Sequence, residues 1–240
     1  MIKFENTEVV GFEHAIRGMR NPMNSWEKSD SYPGYDCTAC GRIEREGYCK
    51  PKEHDCSEYF GYEIGPNDHD LMTRLRNAGT DHRKFMRMIT VYTDITAPLY
   101  WWKEFDTYKV GTVANSCSTM HKIHEKGFDI TDFSYEHLRD RSLFLLREVI
   151  QELNLWREIY NNGYPPESGC EAIEPEKKEV WWQMIQLLPS SYNQKRTVML
   201  NYEVLANIYK SRRTHKLDEW HYFCDWIESL PYSELITGKE

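Results

Sequence analysis

The sequence lacks the segments that would place a protein in a membrane or export it. No apolar run approaches the roughly 18 residues that a membrane-spanning helix needs, so we expect no such helix. The first residues, MIKFENTEVVGFEH, contain acidic side chains and no apolar stretch, which predicts that no signal peptide is present and that the protein is cytoplasmic. Internal repeats and low-complexity tracts are also missing, so nothing indicates a repeat protein.

Basic residues are too few for a typical nucleic-acid-binding surface. The chain has 30 Lys and Arg against 38 Asp and Glu, which gives a net charge of −8. Acids and bases alternate along the sequence, and the single basic run is Lys210–Lys216. Such a surface repels polyphosphate at long range, so nucleic acid is not an expected partner. A small anionic ligand needs only one local positive pocket and stays compatible with this charge.

The composition is that of a globular protein. Hydrophobic residues make up 40% of the 240 positions and aromatic residues 14%, which is enough to bury a substantial core. We therefore expect one domain over residues 1–240, interrupted by a cysteine-containing loop insertion at about 26–66. The chain has seven cysteines. Because nothing indicates secretion, these are expected to be thiols or metal ligands rather than disulfides.

Hydrophobic periodicity predicts strands and helices in no regular βαβ order, which favours an α+β fold with a mostly antiparallel central sheet flanked by long helices. The strands are expected at 8–11, 85–97 and 196–200. The helices are expected at 12–20, 69–78, 99–105, 135–160, 175–188, 202–211 and 217–229. Ser134 is a plausible cap for the longest helix, and the last helix should bury Trp220, Phe223, Cys224 and Ile227.

The segment 21–66 is rich in Asn, Ser, Pro, Gly and Cys. It shows neither the hydrophobic period of a helix nor that of a strand, so it is expected to be an elaborated loop. It contains Cys37-x2-Cys40-Gly, followed by Cys49 and Cys56. A CxxCG turn directs two thiolates at one ion, and two later cysteines can complete a tetrahedral structural zinc site that braces the loop. Unpaired thiols that cluster by chance are the alternative, since the second pair is more widely spaced than usual.

Two further motifs have both a structural and a functional interpretation. The small and hydroxylic residues of 111–119 can expose backbone amides that cradle an anion, or can form an ordinary loop. Asn201, Asn207 and Arg212 do not form one stripe on a helix. Asn207 and Arg212 are five residues apart, so their side chains point in directions that differ by about 140° around the helix axis. They can be a polar helix face with a cation at its C-terminal end, or a ligand-binding set.

Two groups of motifs in the sequence resemble those of the flavin-dependent thymidylate synthases. In that family a histidine precedes a strand, an Ala-Pro pair follows it, and then come an Arg-His-Arg signature and a serine-containing loop. Here His82, Ala97-Pro98 and Thr107-Tyr108-Lys109 lie at the same spacings. Leu188-Pro189 and then Asn201, Asn207 and Arg212 reproduce the family's second pattern, Leu-Pro followed by Asn-x5-Asn-x4-Arg. The likeness covers about half of the chain.

The resemblance implies a concrete chemistry. The family forms homotetramers with active sites between subunits, binds FAD, takes hydride from NADPH and methylene from a folate, and converts deoxyuridylate to thymidylate. The positions that this implies for the cofactor are His82, Tyr108, Lys109, Asn201, Asn207 and Arg212. Those implied for a nucleotide-like substrate are Glu104, Asn115, Ser116, Cys117 and Ser118, with Lys103 as a source of displaced positive charge.

The departures from the family lie at its arginines. The signature reads Thr107-Tyr108-Lys109, and Thr119 and Ile185 stand where the family has further arginines. A phosphate dianion is usually held by bidentate arginine forks, which lysine cannot reproduce, so a changed substrate is expected. The alternative is a diverged nucleotide- or partner-binding protein on the same scaffold. Cys117 occupies the family's serine position, as a nucleophile or as a small space-filling residue.

Overall fold

The computed structural model describes residues 2–35, 60–163 and 176–238. The strands are β1 (Lys3–Val10), β2 (Tyr32–Tyr35), β3 (Phe60–Glu63), β4 (Thr90–Pro98), β5 (Val113–Ser116) and β6 (Asn193–Asn201). The helices are α1 (Phe12–Arg20), α2 (Pro66–Asn77), α3 (Leu99–Phe105), α4 (Asp140–Asn162), α5 (Lys177–Leu187), α6 (Tyr202–Arg212), α7 (Asp218–Glu228) and α8 (Glu234–Thr237). None of the helices in these ranges has the length and apolar character that crossing a membrane requires.

The strands form two sheets. The larger has the order β1–β4–β6–β5, and β5 runs antiparallel to β6 with Val113 opposite Met199 and Ser116 opposite Arg196. The smaller is the antiparallel pair β2–β3. Antiparallel strands combined with helices as long as α4 confirm the predicted α+β fold.

The chain divides into two compact units. The first unit consists of Met1–Thr7, Tyr92–Met199 and His215–Phe223. The second unit consists of Glu8–Val91, Leu200–Thr214 and Cys224–Glu240.

A cluster of aromatic rings fills one part of the first unit. The Trp101 ring centroid lies 4.8 Å from that of Trp220, 4.9 Å from Trp102, 5.1 Å from Phe105 and 5.7 Å from Phe223. All five side chains are buried. Rings of this size remove large apolar areas from water, and tilted contacts add to that gain. The aromatic residues of α3 therefore hold the first turns of α7 in place.

A second hydrophobic cluster of the first unit lies between α4 and α5. Its buried members are Ile123, Phe128, Phe133, Leu146, Ile150, Leu153 and Met184. The α4 residues recur at intervals of three and four, which is the spacing of one helix face. The sequence pattern predicts a stripe of Leu138, Leu145, Leu146, Val149, Ile150, Leu153 and Trp156, of which Leu146, Ile150 and Leu153 are buried. Leu138 lies before the helix and Leu145 is exposed, so the prediction is wrong for these two residues.

The second unit contains a buried carboxylate with five hydrogen-bond donors, which we call the Asp68 clasp. Arg20 Nε donates to Asp68 Oδ1 at 2.6 Å. Asp68 Oδ2 accepts from Ser29 Oγ at 2.7 Å, from Asp30 N at 3.1 Å, and from Ser31 N and Oγ at 3.1 and 2.6 Å. Asp68 is completely buried and Arg20 is 4% exposed. A buried charge is tolerated only when it is paired and fully hydrogen-bonded, as here.

Asp30 and Asp68 each accept a hydrogen bond from the backbone N of the other. The Asp30 carboxylate accepts from Asn67 N at 2.9 Å and Asp68 N at 3.1 Å, two of the amides that the first turn of α2 leaves without helical partners. The residues just before β2 are thereby tied to the start of α2, which follows β3. Both strands of the small sheet are consequently fixed at their bases.

A close approach of backbone requires glycine at the start of α1. Gly11 has φ +99°, and a Cβ atom there would lie 2.1 Å from the carbonyl oxygen of Met88. Only glycine combines this left-handed conformation with the space that the carbonyl needs. The contact holds α1 against the 3₁₀ turn Arg83–Arg87.

The strand predicted at 85–97 begins later than its sequence pattern indicates. Residues 83–87 form the 3₁₀ turn, and β4 starts at Thr90. Phe85 and Met86 are both buried although they are consecutive, which an alternating strand does not allow when one face is exposed. Packing of this turn against α1 and α6 decides its conformation.

Three other predictions differ from the structure: the start of the longest helix and two segments that were expected to be loops. The longest helix begins at Asp140 rather than near 135, because Ser134 does not cap it. Ser134 instead donates through Oγ to Asn193 Oδ1 at 2.9 Å and through its backbone N to Ser191 O at 2.8 Å. The segment 111–119, expected as a loop, contains the edge strand β5, and the loop expected at 21–66 contains β2 and β3.

Candidate functional site

The second unit contains a group of paired charges, which we call the Glu203 cluster: Arg83, Arg87, Glu203 and Asn207. Arg83 Nε lies 3.3 Å from Glu203 Oε1, and Arg87 Nη2 lies 3.3 Å from the same oxygen. Arg87 Nε donates to Glu203 Oε2. Arg83 Nη2 donates to Asn207 Oδ1 at 3.0 Å. One buried carboxylate thus orients two guanidinium groups and, through Arg83, an amide.

Local structure explains how these side chains meet. Glu203 and Asn207 are four residues apart on α6, so they project from the same face of that helix. Asn201 begins the helix by accepting a hydrogen bond from Val204 N at 3.0 Å. Arg83 and Arg87 are the first and last residues of the 3₁₀ turn that packs against α6.

The cluster carries more positive than negative charge. Hydrogen bonds from Arg87, supported by Arg83, hold the pKa of Glu203 below its usual value, so the carboxylate stays ionised. Arg76, which donates to the backbone oxygens of Leu235 and Ile236 at 3.2 Å, has a pKa lowered by burial and by the neighbouring charge of Arg83. Guanidinium groups in excess over carboxylates suit an anion rich in acceptor oxygens. The cluster is therefore suited to binding an anion rather than to transferring protons.

The other predicted cofactor residues of this unit are His82, Asn201 and Arg212, which lie close in sequence to members of the cluster. His82 is exposed and precedes the 3₁₀ turn, next to Arg83. Arg212 ends α6 and is half-buried. The side-chain oxygen of Asn201 serves as a helix cap, so the structural interpretation holds for this residue. Of these predicted residues, Asn207 is the one that Arg83 hydrogen-bonds, whereas His82 is only the sequence neighbour of Arg83.

In the first unit, Glu104 is surrounded by donors. Its Oε2 accepts from Trp220 Nε1 at 3.0 Å and lies 3.4 Å from His215 Nε2. His215 Nδ1 accepts from Leu217 N at 3.2 Å, so the other ring nitrogen, Nε2, faces Glu104. Tyr108 packs edge-on against Trp220, with ring centroids 6.1 Å apart. Glu104 is therefore positioned by this histidine and indole.

The predicted substrate residues lie on an exposed edge of the same unit. Asn115 and Ser116 are on β5, and all four residues of that strand are exposed. Cys117, with an exposed thiol, donates its backbone N to Lys195 O at 3.0 Å. Ser118 Oγ accepts from Met120 N at 3.2 Å and His121 N at 2.9 Å, so this hydroxyl forms a turn.

Lys103 and Lys109 are both exposed and carry no pairing in the described hydrogen-bond network. They sit in the first unit with Tyr108, whereas His82, Asn201, Asn207 and Arg212 belong to the second. The predicted cofactor set is thus distributed over both units.

Sequence reasoning missed the role of three polar residues: Arg87, Glu203 and His215. The spacing of Arg83 and Arg87 by four residues was available as a signal, but the apolar residues between them favoured a strand. Glu203 pairs with residues 116 and 120 positions away, a separation that no local pattern reveals. His215 stands in the basic run and gives no sign of its contact with Glu104.

Metal ligands are not assembled in the part of the chain that the structure describes: no three His, Cys, Asp or Glu side chains there are grouped to hold an ion. The predicted zinc ligands, Cys37, Cys40, Cys49 and Cys56, lie outside the described residues. Cys224 is buried, as expected for a core thiol.

No protein-family model matches the sequence, and no curated protein matches it. Solved structures share its fold. Two crystal structures of thymidylate synthase ThyX from Helicobacter pylori, both with FAD and dUMP, align over 99% of this chain and 98% of theirs. Their TM-scores are 0.59 and 0.60, at 16% and 15% sequence identity. This similarity confirms the fold expected from the resemblance.

Proposed function

We propose that the chain is an FAD-dependent enzyme acting on a pyrimidine nucleotide or a related small molecule, with the methylene-transfer or redox chemistry of a flavin-dependent thymidylate synthase. The hydrogen bond from Arg83 to Asn207 is the observation that carries this proposal. It joins Asn207, a residue that the resemblance assigns to the flavin, to a positively charged cluster. The shared fold with ThyX structures that hold FAD and dUMP supports the same interpretation.

The donor set of the Glu203 cluster fits the pyrophosphate of FAD. Arginine forks and amide donors are what such an anion requires, and Glu203 fixes the direction of both guanidinium groups before any ligand binds. We assign binding of the cofactor to His82, Arg83, Arg87 and Asn207. When bound, the flavin supplies reversible hydride-accepting chemistry.

The substrate is proposed to bind at Asn115, Ser116, Cys117 and Ser118 of the first unit, with the exposed Lys103 of the same unit as a source of positive charge. NADPH as hydride donor, a folate as methylene donor and a homotetrameric assembly follow from the resemblance and form part of the proposal. Because Thr107, Thr119 and Ile185 replace family arginines, we propose a substrate held by fewer phosphate contacts than deoxyuridylate in that family.

The visible absorption spectrum of the purified protein tests the proposal. We expect a yellow protein, or one that becomes yellow and more heat-stable on addition of FAD, because a ligand that binds only the folded state raises its melting temperature. NADPH should then bleach the flavin absorbance under anaerobic conditions. The rate of this reduction should change when a nucleotide that binds the site is added. A colourless protein whose melting temperature does not change with FAD would contradict the proposal.

One observation favours the second candidate function, a non-catalytic binding protein on this scaffold. The carboxylate of Glu104, a predicted substrate residue, is already engaged by Trp220 and His215. A protein that binds FAD or a nucleotide but shows no reduction of the flavin by NADPH would support this second function.

We also propose that Cys37, Cys40, Cys49 and Cys56 hold a structural zinc ion, on the basis of their spacing. Protein purified without an affinity tag or chelator should contain about one zinc per chain, and Cys40→Ser should lower that content. Cys117→Ser, at an exposed cysteine outside the set, is the control. A zinc content below about 0.2 per chain would rule out the site.

A further inference from the structure

A cavity of about 440 Å³ opens in the first unit between the start of α5, the end of α4 and the turn that follows Ser118. This volume is in the range of small-ligand sites. The side chains that matter to its chemistry are His121, His124, Tyr160, Lys177, Lys178 and Trp181. None of them belongs to the residues proposed above for the flavin or for the nucleotide-like substrate.

One side of the cavity is built from aromatic rings in fixed positions. The rings of His124 and Tyr160 lie 4.6 Å apart, tilted by 43°. Trp181 Nε1 donates to the backbone oxygen of Met120 at 2.9 Å, which holds the indole in place. Rings fixed in this way provide a surface on which a planar ligand can pack without loss of side-chain entropy.

The other side of the cavity is cationic. Lys177 Nζ lies 4.6 Å from the centroid of the Tyr160 ring, and Lys178 follows it in the first turn of α5, where the helix dipole is positive. The neighbouring carboxylates of Glu176 and Glu179 accept backbone hydrogen bonds in a capping box and do not line the cavity. A protein of net charge −8 therefore presents a local positive site.

A buried polar atom in the cavity wall lacks a partner. His124 Nδ1 is inaccessible to solvent and has no hydrogen bond to any described residue. An unsatisfied buried polar group is costly in a folded protein and is often explained by a ligand or a water. His124 lines the cavity and is the residue there with this unsatisfied atom among those described.

We propose that this cavity binds a small aromatic anion, a planar ring that carries a phosphate or carboxylate group. The ring packs against Trp181, and the anionic group lies at Lys177, whose Nζ stands over the Tyr160 ring, and at Lys178. The anion and the ring contribute together, so neither an inorganic anion nor a neutral ring satisfies the site alone.

Titration calorimetry on the full chain tests this with four probes: phenyl phosphate, benzoate, inorganic phosphate and phenol. We expect phenyl phosphate or benzoate to bind at least about tenfold more tightly than inorganic phosphate and than phenol. The member of the pair that binds more tightly identifies the anionic group. Four probes of equal affinity, or none that binds below about 10 mM, would overturn the proposal.

Charge-removing variants locate the binding site. Lys177→Gln and Lys178→Gln should each weaken the tighter probe by about tenfold, since each removes one charge-assisted hydrogen bond. Lys216→Gln, which removes the same charge from an exposed residue outside the cavity, should leave the affinity unchanged. Equal affinities in all three variants would also overturn the proposal. FAD binding should be the same in all of them, so failure here and failure of the proposed function are distinguishable.

Discussion

Asp68→Ala should lower the free energy of unfolding by about 3–5 kcal/mol, the cost typical of breaking a buried ion pair by removing one partner. The substitution strands Arg20, which is 4% exposed, without its carboxylate. It also removes the acceptor for Ser29, Asp30 and Ser31, so the segment before β2 loses its attachment to α2. Chemical denaturation monitored by tryptophan fluorescence measures the change.

Asp70→Ala is the matched control. Asp70 lies two residues further along α2 and pairs with Arg74 at 2.9 Å, but both side chains are about two-thirds exposed. Exposed ion pairs contribute about 0–1 kcal/mol, so this variant should be close to the wild type. A loss for Asp68→Ala no larger than that for Asp70→Ala would show that the clasp does not stabilise the fold.

The contribution of the clasp should depend on pH. Burial raises the pKa of Asp68, but hydrogen bonds from Ser31, Ser29 and Arg20 outweigh it and set the pKa below its usual value. A carboxylate with a depressed folded-state pKa stabilises fully above its unfolded pKa of about 3.9, and this stability is lost as pH falls through the folded pKa. The stability difference between the wild type and Asp68→Asn should therefore be constant near neutral pH and shrink below about pH 4.

Replacing both arginines of the Glu203 cluster, Arg83→Gln with Arg87→Gln, should weaken FAD binding by about 100-fold or more. The double variant removes two guanidinium donors and leaves Glu203, which is buried, as an unpaired negative charge facing the same anion. Quenching of flavin fluorescence during titration gives the dissociation constant. This prediction rests on the proposed function.

Arg74→Gln is the control for charge, because it removes the same group from an exposed position of the second unit. The single variant Arg87→Gln separates loss of binding from loss of folding. Because Arg87 is exposed, its replacement should weaken FAD binding by about tenfold with little change in melting temperature. Unchanged FAD affinity in a folded double variant would remove the Glu203 cluster from the cofactor site.

Residues with local signals were predicted well. The i, i+3, i+4, i+7 pattern of Trp220, Phe223, Cys224 and Ile227 gave the buried face of α7, and all four side chains are buried. The α3 helix begins directly after Pro98, which tolerates the first position of a helix, as its sequence indicated. In these places propensity, pattern and tertiary packing agree.

The sequence failed where distant contacts decide the outcome. The pattern of Phe85 and Met86 favoured a strand, yet packing on α1 and α6 makes the segment a 3₁₀ turn that directs Arg83 and Arg87 to Glu203. Ser134 has the chemistry of a helix cap, but Asn193 competes for its hydroxyl. The candidate site was predicted by resemblance for His82 and Asn207, whereas the carboxylate that organises it depends on long-range pairing.

The reciprocal contacts of Asp30 and Asp68 have a consequence for any substitution at either aspartate. Together with the β2–β3 pairing, in which Tyr35 lies opposite Phe60, they link the residues before β2 to the start of α2 through residues outside positions 36–59. Asp30 accepts from the backbone of α2, and Asp68 accepts from the backbone before β2, so the two anchors act as one unit. A substitution at either aspartate should therefore loosen both strands of the small sheet together.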